Sequence, residues 1–169
     1  MKDKLQWGVV GTGGIASDFA NAMSRSKRCR IVNVTGLTPE LSRTFADKWR
    51  IPTTAASLDE LLADKNVEAV YIGTPHPFHE QMTLAAIAAG KPVLCEKPIA
   101  LDAEASAKVV DAARKKGVFL MEGYMYRCHP QTERLVELIR SGAVSSDRCT
   151  MILLVRLLPR SVQGAGTRI

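Results

Sequence analysis

The sequence predicts an α/β fold: a doubly wound sheet of parallel strands with helices on both faces. Three observations predict it. Short apolar runs alternate with stretches of helical period from the first residues onward. Repeated alternation of that kind places the helices in crossovers between parallel strands, which are then covered on both sides. The first apolar run, Leu5–Val10, ends in a glycine cluster and a helix-like stretch follows directly. Finally, 169 residues are enough for one full domain with a sizeable core and some excess.

The elements follow in order. Leu5–Val10 reads as a buried strand, and Ile15–Met23 as a helix with Ile15, Phe19 and Met23 on one face. The next strand is Arg30–Gly36, carrying Ile31, Val32 and Val34. Pro39 suits a first helical turn that continues through Glu40–Trp49. Ile51–Thr54 is a short connector or strand. Ser57, with Glu60 three residues later, forms a capping box for a helix over Leu58–Ala63. Glu68–Ile72 is a strand, and His76–Ala89 a helix stopped by Gly90. Pro92–Cys95 is a strand, and Asp102 caps a helix from Ala103 to Lys116, stopped by Gly117. Val118–Met121 is a further strand, and Pro130–Arg140 a helix with Leu135, Leu138 and Ile139 apolar, ended by Gly142.

This gives one nucleotide-binding-type domain over 1–124 and a hinge with a connecting helix over 125–144. Residues 145–169 differ. Cys149–Leu158 is an apolar run interrupted by Arg156, and 161–169 have neither period, so the stretch reads as a remnant or aberrant, poorly ordered tail.

Composition narrows the function. Charged residues make up 24%, and the net charge is +6 with a pI near 9.3. The basic residues are dispersed, with no basic helix or aromatic-interleaved stripe, so nucleic acid is not the expected partner, whereas small anions are compatible. Cys29, Cys95, Cys128 and Cys149 share no metal-ligand spacing, so no metal site is expected. With no secretory leader, these thiols fit a reducing cytoplasm. The apolar run Met151–Val155 is far shorter than the roughly 20 residues of a membrane helix, so no membrane is expected. Aromatics are only 5%, so aliphatic packing is expected to dominate the core.

The strongest motif is Gly11-Thr12-Gly13-Gly14-Ile15-Ala16. A strand, a glycine turn and a helix N-terminus together build a site for a diphosphate. Gly11 supplies a positive φ, Gly13 lets the backbone approach a phosphate, and Ala16 is small enough to pack helix on strand. In that strand-before, helix-after context, GxGxxA points to a dinucleotide.

Two further loops fall on the same carboxyl edge of the sheet. In Cys95-Glu96-Lys97-Pro98, Lys97 follows a strand, and beside a cationic nicotinamide its amine is suited to passing a proton to or from a hydroxyl. Glu96 orients Lys97 or bonds to backbone, and Pro98 permits a cis bond. In Gly73-Thr74-Pro75-His76-Pro77-Phe78-His79, Thr74 and Pro75 are placed to line a ribose, and His79 is either a packed or capping group or a ligand contact.

Taken in order, Gly11–Ala16, Gly73-Thr74-Pro75 with His79, Glu96-Lys97-Pro98 and Met121–Pro130 resemble the Gfo/Idh/MocA family of NAD(P)-dependent oxidoreductases, over about residues 4–144. The resemblance implies a Rossmann domain followed by an α/β substrate domain on a large open sheet. It implies hydride transfer between NAD or NADP and a secondary alcohol or carbonyl of a sugar, polyol or diol, with homo-oligomeric full-length relatives. Lys97 maps onto the family's catalytic or substrate-positioning lysine, and Tyr126, Arg127 and His129 onto a segment entering the substrate cleft.

Two departures stand out. At the end of the second strand the family carries an acidic residue, or Ser-Arg for a 2′-phosphate. This chain has Gly36-Leu37-Thr38, and Thr38 with Arg43 leans the expectation toward NADP. The match also stops near Val144, so the second domain is expected to be essentially missing and turnover slight. The alternative expectation is a non-catalytic NAD(P)-binding regulator or interaction protein.

Overall fold

The computed structural model of this chain describes residues 4–143. A first unit ends at Gly123 and a second begins at Tyr124. In the first, strands and helices alternate as β1 (Leu5–Val10), α1 (Gly14–Ser24), β2 (Cys29–Thr35), α2 (Pro39–Trp49), β3 (Thr53–Thr54), α3 (Leu58–Ala63), β4 (Ala69–Ile72), α4 (His79–Ala88), β5 (Val93–Cys95), α5 (Ala103–Lys116) and β6 (Leu120–Glu122). All strand pairs are parallel, in the order β3-β2-β1-β4-β5-β6. The order reverses between β1 and β4, so their carboxyl ends diverge into loops on opposite sides and leave a crevice between them. The chain has the Rossmann architecture.

Both faces of the sheet are buried, so neighbouring strand residues serve different layers. Val10, Val70, Ile72, Val93 and Cys95 pack with α3, α4 and α5 through Leu61, Leu62, Ala86, Ile87, Val109 and Ala113. Val9, Val34 and Tyr71 pack with α1 and α2 through Ala16, Ala20, Phe45 and Ala46. On β2 the register slips where Gly8 follows Trp7, leaving Val32 as an extra residue between Ile31 and Asn33.

Side-chain caps set the helix starts. Thr38, Ser57 and Asp102 accept from the amides of Leu41, Glu60 and Ala105. Glu60 reaches back to the Ala56 amide at 2.7 Å, one residue earlier than a capping box requires. Gly117 ends α5 in the left-handed region, as does the non-glycine Arg50 after α2.

Three expectations are corrected. The buried face of α1 is Ala16 and Ala20, while Ile15 is exposed; α1 lies too close to the sheet for a large side chain at those positions. His76–Phe78 is a 3-10 turn and the α-helix begins at His79. The core is aliphatic on one face only: Trp7, Phe19, Phe45, Trp49 and Tyr71 gather on the other. The 145–169 tail lies outside the described residues.

The second unit starts with a 3-10 turn, Met125–Cys128, followed by α6 (Pro130–Arg140). His129 Nδ1 accepts from the Gln131 amide at 3.1 Å to cap α6. Among the described residues, no helix is long and apolar enough to cross a membrane.

Leu61 is fully buried. Leu61→Ala is expected to lower the unfolding free energy by about 2–5 kcal/mol, read from the shift in a urea transition. Asp64 accepts from Asn33 Nδ2 at 2.9 Å and from the Asn66 amide at 2.8 Å. These bonds, that from Asn33 first, hold its carboxyl below the ordinary carboxylate value. Its contribution to stability is therefore present at neutral pH and disappears as acid protonates the folded-state carboxyl. Asp64→Asn is expected to reduce stability at pH 7 and to flatten the acid limb of a stability–pH curve.

Candidate functional site

The crevice at the reversal point is built first from backbone. Gly11 continues β1 by donating to Thr35 O at 2.8 Å, and Gly73 continues β4 by donating to Val10 O at 2.9 Å. Gly11 has φ +108°, and a Cβ there would stand 2.6 Å from Gly73 O. Any side chain at Gly11 is thus excluded by both conformation and space.

Gly13 is different. Its φ is −79° and its ψ −170°, an ordinary extended backbone, and a Cβ on Gly13 or Gly14 would meet nothing within 4 Å. Neither strain nor internal crowding requires glycine at these positions. The space in front of both glycines is open. Gly13 also opens α1 without a side-chain cap, and the first turn carries no acidic residue. The leading amides of this eleven-residue helix are left without a side-chain acceptor, and its positive dipole end is unopposed. This is the donor set a diphosphate needs, so the residues present fit a dinucleotide. Ala16, fully buried, lets α1 sit against β1. Thr12 rests against Gly36, where a Cβ would lie 2.8 Å from Thr12 Cγ2.

The end of β2 carries no carboxylate. Leu37 is 92% exposed, and Thr38 uses its hydroxyl oxygen to cap α2. Arg43 is exposed on α2, where its charge acts on Glu40 and helps hold that carboxyl below its ordinary value, behind the hydrogen bonds to main chain and Thr38. Ser42, which sequence reasoning missed, is buried. Its hydroxyl accepts from the Gly36 amide at 2.8 Å and donates to Thr38 O at 3.1 Å, fixing this loop.

Beyond β4, Thr74 is half-buried with its hydroxyl on Met82 Sδ at 3.5 Å, and Pro75 is exposed. Beyond β5, Lys97 is exposed and its bond to Pro98 is cis. Four hydrogen bonds pin the loop around it, three of them through its main chain. The Glu96 amide donates to Ile72 O and the Ile99 amide to Glu122 Oε1, both at 2.9 Å. Tyr71 donates to Glu96 Oε1 at 3.0 Å, and His79 Nδ1 meets Pro98 O at 2.7 Å.

His79 requires a correction. Of the two roles the sequence left open, packed group or cofactor contact, the cofactor contact is not supported: His79 is fully buried, and its Nε2 meets Thr74 O at 2.8 Å. With its two ring nitrogens facing main-chain carbonyls of the β4 and β5 loops, it has no face left for a ligand. Tyr71 and Glu122, which sequence reasoning missed, support the same loop. Cys95 is fully buried, and burial, foremost, pushes its thiol up to about 11.

In the second unit, Tyr126 packs edge-on against Tyr124 with ring centroids 5.7 Å apart, and its carbonyl accepts from Thr132 Oγ1 at 2.6 Å. His129 is used as the α6 cap, and Arg127 is exposed.

Residues 5–124 match the oxidoreductase family with an NAD-binding Rossmann fold known as Gfo/Idh/MocA. The chain belongs to that family. It is 40% identical over 146 residues to trans-1,2-dihydrobenzene-1,2-diol dehydrogenase of Mus musculus, covering 85% of this chain and 44% of the mouse protein. It thus spans about half the length of the curated relatives it matches. Among solved structures, GenD2 from gentamicin A biosynthesis, in complex with NAD, aligns with TM-score 0.76 at 30% identity, over 88% of this chain and 40% of that one. A point mutant of KijD10, a 3-ketoreductase from Actinomadura kijaniata in complex with TDP-benzene and NADP, aligns with TM-score 0.77 at 25% identity, over 83% and 42%. One of these two structural neighbours thus holds NAD and the other NADP.

Because a side chain at Gly13 meets no protein atom, Gly13→Val is expected to fold, with a cost on the order of 1 kcal/mol for the poorer helix start. The same valine fills the space against α1's leading amides. Calorimetric titration with NADH or NADPH should then show no binding by a variant whose circular dichroism matches the parent.

Proposed function

We propose that this chain is the cofactor-holding part of a dehydrogenase acting on a secondary alcohol, or the matching carbonyl, of a small diol, polyol or sugar. The observation that carries the reading is the pairing, on one sheet edge, of α1's uncapped start with an exposed lysine on a loop pinned from three directions. The mouse relative's action on a diol supports the substrate class.

A nicotinamide dinucleotide, when bound, supplies the hydride acceptor or donor. The protein's own residues do the rest. The amides of Gly14, Ile15 and Ala16 hold the diphosphate, with Gly11, Thr12 and Gly13 shaping the approach. Gly36, Leu37, Thr38 and Arg43 border the adenosine ribose. The absence of a carboxylate there, with Arg43 nearby in sequence, favours NADP over NAD. Thr74, Pro75 and Glu96 frame the nicotinamide half. Lys97 takes the proton from the alcohol oxygen at its Nζ during oxidation and returns it during reduction. Tyr126, Arg127 and His129 contribute to the substrate side. The proposal extends to a reducing cytoplasmic setting, supported by the unpaired thiols of Cys29, Cys95 and Cys128, and to self-association, supported by the family resemblance alone.

Titration calorimetry with NADPH and NADH on the folded chain tests the cofactor assignment. Saturable binding, tighter for NADPH, is expected, and heats no larger than dilution for both would reject the assignment. A screen of diol and polyol oxidation tests Lys97. Lys97→Ala is expected to lose activity by roughly 100-fold, the lower range for a positioned proton-transfer group. Oxidation that survives unchanged removes Lys97 from the mechanism.

A further inference from the structure

Tyr71 is a large polar side chain inside the sheet that the dinucleotide reading leaves without a role. It is 2% exposed at the centre of β4. Its ring stacks on Phe19 with centroids 3.9 Å apart and planes 1° from parallel. On another side the ring backs onto Gly73, where a Cβ would stand 2.7 Å from Tyr71 Cε1. A ring gripped this way directs its hydroxyl to one favoured place. That place is Glu96 Oε1, at 3.0 Å, while the second neighbour, Ile15 O, is at a long 3.5 Å. Burial, and then the charge of Glu96, raise the phenol's pKa, so the hydroxyl stays a donor throughout the working pH range.

Glu96 is held from behind as well. A Cβ at Gly123 would come within 3.3 Å of its carboxylate, so the Gly123 backbone closes the far side. The Glu96 amide is tied to Ile72 O at 2.9 Å. Both ends of Glu96 are therefore fixed, and the next residue is Lys97. A phenylalanine at position 71 would fill the same volume and keep the stack on Phe19. What tyrosine adds is a neutral donor to a half-buried carboxylate, a charge-assisted bond of the stronger kind.

We propose that the Tyr71 hydroxyl, acting through the Glu96 carboxylate, is a positioning group that fixes the Lys97 loop for the nicotinamide half of the dinucleotide. The proposal rests on the dinucleotide reading above and adds a division of labour to it. The glycine loop holds the diphosphate without help from Tyr71, whereas the nicotinamide end depends on this bond.

The test compares two ligands that differ only in that end, NADPH and 2′-phospho-ADP-ribose, by calorimetric titration. With Tyr71→Phe, the NADPH Kd is expected to rise about tenfold, within the range for losing a hydrogen bond to a charged group. The 2′-phospho-ADP-ribose Kd should stay within about twofold of the parent's, since every contact of the diphosphate is retained. Glu96→Ala should reproduce the selective loss, and the double variant should be no weaker than Glu96→Ala alone, because both act through one bond. If Tyr71→Phe fails to fold, Glu96→Gln takes its place: it lies outside both core layers, keeps the side chain's shape and removes the charge that strengthens the bond from Tyr71, so the same selective loss is expected.

Equal losses for the two ligands would assign Tyr71 to packing alone and overturn the proposal. So would an unchanged NADPH Kd, or additive effects in the double variant. A folded parent that takes up neither ligand would instead reject the dinucleotide reading, and this proposal with it.

Discussion

The close approach of two backbones governs this molecule. Where β1 and β4 end, the Gly11 and Gly73 amides still bond into the sheet, yet the chains must part toward helices on opposite faces. There is room for that parting only because position 11 has no side chain; a single methyl group would sit 2.6 Å from a carbonyl oxygen. Every other feature of the edge is measured from this point: the direction of α1, the exposure of its first amides and the distance across to the β5 loop.

The two core layers are unequal, and the difference bears on the site. Aliphatic side chains fill the α3–α5 side, while the α1–α2 side collects the aromatic rings. Rings are stiff, have few torsions and offer polar edges. Tyr71 uses both properties, packing as a core residue and bonding as a loop residue. His79 does the same across the loops, with its ring buried and its nitrogens on Thr74 and Pro98. The loops that frame the crevice are thereby extensions of the core.

How much was legible follows from the range of the interactions involved. The bounds of α2, α3 and α5 could be read because Thr38, Ser57, Asp102 and Gly117 act within a few residues of themselves. The glycine turn could be read for the same reason. The start of α4 was misplaced because Pro77 permits a turn of tighter pitch before the α-helix. The packing of Ala16 could be read from the glycine motif, but the burial of Ala20 in place of Ile15 depends on how closely α1 lies on the sheet, which no local period encodes. Tyr71 sits in an apolar run and resembles any core residue until Glu96, 25 positions later, is folded beside it. His79 meets Pro98, 19 positions away, for the same reason. Local signals gave the elements and the cradle, and the supports of the lysine loop emerged only from tertiary contacts.

The pinned loop leaves Lys97 in an unusual mechanical state. Its main chain is held from β4, α4 and β6, yet among the described residues no hydrogen bond or ion pair holds its amine. All remaining freedom therefore resides in four side-chain torsions swinging from a stationary pivot. Arresting such a tether costs up to about 2 kcal/mol of rotamer entropy. That cost falls on whichever molecule immobilises the ammonium group, so a partner lacking an oxygen to engage it forgoes the contact but leaves the swing intact. The pivot thus acts as a filter: occupants that offer the amine nothing gain nothing from its presence.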